Sequence, residues 1–117
     1  MTDVAFVSAD AFTTTDTNDF TVPKPAGLQN NDWLVGLYWH GNDGQVPVTL
    51  TGFTTIDEIE DITEGDTTAG IYRKNVINAA SEPSDYTFNG SGTDATSNGG
   101  ALLMAFRNVH ADFFDES

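Results

Sequence analysis

Asp32-Trp33-Leu34-Val35-Gly36-Leu37-Tyr38-Trp39 is apolar on both alternating faces and rich in aromatic and branched residues. A run of this length and composition reads as a strand buried on both sides, at the centre of a sheet. Directly after it, Gly41-Asn42-Asp43-Gly44 supplies residues that tolerate positive φ, and Val46, Val48 and Leu50 then alternate with Pro47 and Thr49. That sequence predicts a hairpin. Pro47 has no N–H to give to a ladder, so the second strand belongs at an edge or beside a bulge.

Working outward, the same pattern recurs in short pieces. Val4 to Val7 and Phe20 to Val22 predict strands joined by a polar link over Thr13 to Asp19. Ile71 to Ile77 carries polar residues in its middle, as a strand exposed on one face does. Tyr86-Thr87-Phe88 runs into the turn sequence Asn89-Gly90-Ser91-Gly92, and residues 90 to 100 form the most flexible candidate loop. In Ala101 to Arg107, large Leu102, Met104 and Phe106 alternate with small Ala101 and Ala105, and the large side is expected to face the core with Trp33 and Val35. Thr55 to Ile62 fits a helical turn about as well as a strand: Thr55 with Glu58 matches a capping box, and its isoleucines are spaced by three. Short strands at near-regular spacing, with no long helical period, predict an all-β fold, an antiparallel β-sandwich of jelly-roll type in a single domain over residues 1–117.

The chain has 117 residues, enough for one self-standing core. It has no cysteine, so disulfides, thiolate metal sites and cysteine nucleophiles are excluded. Its 18 acidic residues face only Lys24, Arg73, Lys74 and Arg107, for a net charge of -14. Nucleic acid and anionic membrane surfaces need concentrated positive charge and are not expected partners. No apolar run is long enough to span a membrane. The N-terminus has no basic region followed by a long apolar stretch, so the expectation is use without passage through a secretion channel. Self-repulsion at this charge opposes compaction and is screened by salt, so the melting temperature is expected to rise with ionic strength. A thermal melt that does not move between low and high salt would contradict this.

The acidic segment Asp57, Glu58, Glu60, Asp61, Glu64, Asp66 invites two chemical readings. Glycoside hydrolysis needs paired carboxylates in a shaped cleft, and Ile62 stands where a third carboxylate of the Glu-x-Asp-x-Glu pattern would fall. Calcium prefers six to eight oxygen ligands in a loop, but the spacing is not that of an EF-hand; a solvated acidic face is the simpler reading. His40 and His110 have no partner motif, and there is no Gly-x-Ser-x-Gly elbow or phosphate loop. His40 is expected to cap the end of the central strand and His110 to sit in a surface turn. These residues predict no enzyme, no metal and no cofactor. Tyr38, Trp39 and Tyr72 are candidate ligand-facing aromatics, since flat rings stack on sugars much as they pack in cores.

The order of motifs resembles a β-sandwich module of phage virion and prophage-encoded structural proteins. Phe20-Thr21-Val22-Pro23-Lys24-Pro25-Ala26-Gly27 followed by Asn31-Asp32-Trp33-Leu34-Val35 is similar to that module's "VPxPxG…GDLLVA" opening. Gly52-Phe53-Thr54 stands in place of its Gly-Trp-Thr, and Tyr72-Arg73-Lys74-Asn75-Val76 in place of "YYKxA". Ser81 to Phe88 resembles "GEPxxYTF", and Met104 to Val109 the closing "AYRGV". The likeness covers residues 4–109, leaving 110–117 as a C-terminal tail. Asn31, Phe53 and Asn108 replace the module's glycine, tryptophan and glycine. The resemblance implies a virion-surface part assembled in the host cytoplasm, most simply a capsid decoration subunit that binds the major capsid protein, its own copies or both, a trimer among the options. A receptor- or carbohydrate-binding module of a fibre is the alternative. Candidate interface residues are Met1, Val4 and Phe6 at one end and Phe113 and Phe114 at the other, where the two phenylalanines either contact a neighbour or fold back onto the sandwich.

Overall fold

The structure of the chain, a computed structural model, describes residues 3–15, 19–40, 46–61, 67–91 and 98–110. Within them lie β1 (Ala5–Thr15), β2 (Asp19–Pro23), β3 (Trp33–His40), β4 (Val46–Thr49), β5 (Thr54–Asp61), β6 (Thr67–Asn75), β7 (Asp85–Ser91) and β8 (Asn98–Arg107), with a 3-10 turn at Ala79–Ser81. The strands form a five-stranded sheet in the order β1-β8-β3-β6-β5 and a three-stranded sheet in the order β2-β7-β4. All ladders are antiparallel.

The chain is a β-sandwich whose strand pairs are nested. β1 pairs with β8, β2 with β7 and β3 with β6, successive pairs alternating between the sheets as in a jelly roll. Both inner pairs reflect through Thr54, since Asp19 faces Asn89 and Trp33 faces Asn75. Near that point the chain turns at Leu50–Phe53, with Gly52 at φ 86° and Phe53 N–H donating to the Leu50 carbonyl at 3.1 Å. Positive φ at the third residue is the type II pattern that glycine adopts without strain. β5 then folds back onto β6, with Thr54 opposite Arg73.

Three expectations change here. The predicted hairpin does not form: β3 lies between β6 and β8, while β4 pairs with β7 across the sandwich. Residues 41–45, whose turn chemistry suggested the hairpin, lie outside the described residues. The segment that also fitted a helix is strand β5, whose ladder to β6 satisfies its backbone. The polar link after the first strand begins later than expected, because β1 pairs with β8 as far as Thr15. Pro47 does sit on an edge strand, β4, whose register shifts between Val46 and Thr49.

The largest correction concerns which face is the interior. Between the sheets lie Leu34 and Tyr38 of β3, Tyr72 of β6, Ala101, Leu103 and Ala105 of β8, and Val22, Tyr86 and Phe88 from the opposite sheet. Trp33, Val35, Leu102, Met104 and Phe106, expected inside, are half-buried on the other side. The reason is volume. Phe88 stacks on Tyr38 at 6.4 Å between ring centroids and meets Tyr72 edge-on at 6.2 Å. A Cβ at Gly36 would stand 3.1 Å from the Phe88 ring, and one at Gly70 would overlap the Tyr72 ring. Rings of this size need small residues opposite them, so the small side of β8 turns inward.

Candidate functional site

Polar motif residues gather in two clusters, both of which hold strands together. In the first, Asp32 is 1% exposed. Its carboxylate accepts from Arg107 Nε and Nη2, each at 2.8 Å, and from the Gln29 N–H at 2.8 Å. Arg107 Nη2 also donates to the Gly27 carbonyl at 2.9 Å. Burial opposes the charge on Asp32, but the Arg107 and Gln29 hydrogen bonds and the guanidinium charge outweigh it and hold the carboxyl below its usual range. Asn31 and Asn108, adjoining this pair, have φ of 71° and 61°. Glycine adopts a left-handed backbone freely, and asparagine is the other residue that tolerates it. Alanine has no such tolerance: Asn31→Ala should destabilise by about 1 kcal/mol and Asn31→Gly by less than about half of that, read from urea midpoints.

In the second cluster, Glu82 Oε2 accepts from Lys74 Nζ at 2.8 Å and from the Tyr86 hydroxyl at 2.5 Å. Lys74 lies 5.9 Å from the Phe53 ring centre and 5.8 Å from that of Tyr86, and those rings meet edge-on. Desolvation would raise the Glu82 carboxyl, but the Lys74 and Tyr86 hydrogen bonds bring it below its usual value. Burial and the neighbouring carboxylate push the Tyr86 hydroxyl upward. A shallow cleft beside this network is lined by Leu50, Gly52, Lys74 and Tyr86. Lys74 on its wall is already paired with Glu82, which suits a staple between β6, β7 and the 79–84 connection.

The two outer faces of the sandwich differ. On the three-stranded sheet, exposed Thr21 and Thr87 face each other with their hydroxyls 3.1 Å apart. On the five-stranded sheet the outward row runs through Trp33, Val35, Leu37 and Trp39 of β3 and Leu102, Met104 and Phe106 of β8. Phe6 of β1, 61% exposed, meets Phe106 edge-on at 5.9 Å. A groove of about 310 Å³ on this face is lined wholly by apolar residues, among them Val4, Val35, Ile56, Ile71 and Met104. Arg73 lies 5.9 Å from the Trp33 ring centre, a cation–π distance. A large apolar area on an acidic chain is chemically suited to being covered by another apolar surface.

The predicted site residues divide accordingly. Val4 and Phe6 are exposed and belong to the apolar face. Trp39 is 42% exposed and borders a shallow cleft with Leu37, Asp57 and Ile71. Tyr38 and Tyr72 are corrected: each is 1% exposed, locked in the core, and neither can present a ring to a ligand. Met1, Phe113 and Phe114 lie outside the described residues. So do Glu64 and Asp66, while Asp57 and Glu58 are exposed on edge strand β5. No group of three His, Asp or Glu residues that could hold a metal ion occurs among the described residues. His40 ends β3 with its side chain outside the description, and His110 is exposed. Sequence reasoning missed Trp33, Val35, Leu37 and Met104 as surface residues. The signal available was Gly36, which shares a face with Leu34 and Tyr38 and leaves room for a ring. Comparison with family models, with curated proteins and with solved structures finds no match.

Proposed function

We propose that this chain is a non-enzymatic structural subunit of a phage particle, a decoration or head-surface protein that binds the major capsid protein. The observation that carries the reading is the apolar outer face of the five-stranded sheet on a chain of net charge -14. Acidic charge favours solubility, while an apolar face gives the chain something to bury on assembly. The motif order supplies the viral context. Its polar residues Asp32, Arg107, Lys74, Glu82 and Tyr86 serve as staples of the fold. Electron microscopy of the native particle, with rebinding of the purified chain to stripped capsids, tests this: regular surface density and near-saturating copy number are expected. Absence of binding, with the chain in few copies at a fibre tip, would sink it.

A carbohydrate-binding role has one observation in its favour, the half-exposed Trp39 beside Asp57, an indole and a carboxylate on one cleft. Glycan-array binding lost in Trp39→Ala, with no rebinding to capsids, is the result that would select it.

A further inference from the structure

We infer that the outer face of the five-stranded sheet is the contact between two copies of this chain, packed sheet against sheet about a twofold axis. The inference rests on the same face as the proposed function but needs no viral context. Three features of the molecule favour a second copy as the occupant.

The first is charge. The chain carries -14 overall, so copies repel one another unless they meet on a face with little net charge. On this face the outward residues of β3 and β8 are uncharged, and the charges nearest them are Arg73 on β6 and Asp57 on β5. Opposite charges on one surface are what a twofold contact can use, since whatever Arg73 of one copy reaches on the other, its partner reaches in return.

The second is the state of the edges. Sheet proteins also self-associate edge to edge, but both edges of this sheet are interrupted. β1 has a register shift between Phe6 and Ser8, and β5 has one between Thr55 and Asp57. β5 also carries Asp57, Glu58, Glu60 and Asp61 in sequence, so a second β5 would meet it with like charge. Bulges and charge on an edge strand oppose strand addition, which at this sheet favours the face over the edges as the route to self-association.

The third is size. Five strands about 4.8 Å apart and 8 to 11 residues long give a face of roughly 700 Å², so two copies would bury roughly 1,400 Å². That lies at the lower end of specific interfaces and suits a reversible dimer strengthened by salt. Sheets packed this way align within about 30°, with their side chains interdigitating over about 10 Å.

Sedimentation equilibrium of the full chain, from micromolar to sub-millimolar concentration at low and high salt, is the test. A two-chain mass that grows with concentration and salt is expected, with a blue shift of tryptophan emission because Trp33 and Trp39 both lie on the face. Val35→Lys and Met104→Glu should each raise the dissociation constant at least about tenfold, whereas Thr87→Lys on the opposite sheet should leave it unchanged. Circular dichroism confirms that each variant is folded. A three-chain mass, a dimer indifferent to Val35→Lys and Met104→Glu, or a one-chain mass throughout would overturn the inference. In the last case, quenching by acrylamide separates an open face from one covered by the chain's own residues. A one-chain protein that still saturates stripped capsids would leave the structural role standing and remove only the dimer.

Discussion

Phe88→Ala is expected to destabilise the fold by about 3–5 kcal/mol, close to the entire stability of many domains of this size. Phe88 is fully buried and bridges the two sheets, its ring lying against Tyr38, Tyr72 and the bare backbone of Gly36. Removing it opens a void between the two sheets, so the loss of burial and the cavity penalty add. Urea denaturation at low protein concentration measures the effect, and an internal comparison sharpens it. Leu103→Ala, on the inner side of β8, should cost about 2–4 kcal/mol, while its neighbour Met104→Ala, on the outer side, should cost less than about 1 kcal/mol. If Met104→Ala proves the more damaging, the inner and outer faces have been exchanged and the account of the core is wrong.

Asp32→Ala should cost about 2–3 kcal/mol at pH 7, because it orphans the Gln29 N–H and dissolves the pair with Arg107. The cost stays in the lower range because the Arg107 side chain is one-third exposed, and water partly screens the pair. The loss has a distinctive pH dependence. The Asp32 carboxyl is held below its usual value in the folded chain, so its contribution is complete above the unfolded value near 3.8 and fades as pH falls through the lower folded one. The gap between the parent and Asp32→Ala should therefore be constant from pH 7 to about 5 and close below about pH 4. Glu82 is depressed in the same sense, so the parent chain loses stability from both clusters under acid. A gap that persists unchanged at pH 3 would show that the carboxylate charge is not what the site uses.

Strand positions were legible because turn residues and β-rich runs alternate along the chain; β3, β6, β7 and β8 all fall on segments predicted from composition alone. The interior was not, and the reason lies in two strands. β3 and β8 are apolar on both faces, so period-two alternation carries no sign, and the choice went to the larger side chains. What decides the matter is the opposing sheet, whose Phe88 and Tyr86 already fill the space, and no local window of β8 contains that information. The hairpin failed for a related reason. Gly41 to Gly44 has the chemistry of a tight turn, but Val46 to Thr49 finds its partner in β7, forty residues on in the order of the chain. The polar staples were present in the motifs as separate letters; Asp32 and Arg107 stand 75 positions apart, and only the β3·β8 ladder brings them together.

The nesting of strand pairs about Thr54 also sets an order in time. Closing β5 onto β6 joins near neighbours in sequence, and once β3 has paired with β6 the ends that β2 and β7 must bring together are already close. Each pairing shortens the loop that the next must close, so entropy favours zippering from the middle of the chain outward. The β1·β8 ladder, whose partners are up to 102 positions apart, comes last, after β8 has docked on β3 and carried the Arg107 guanidinium to Asp32.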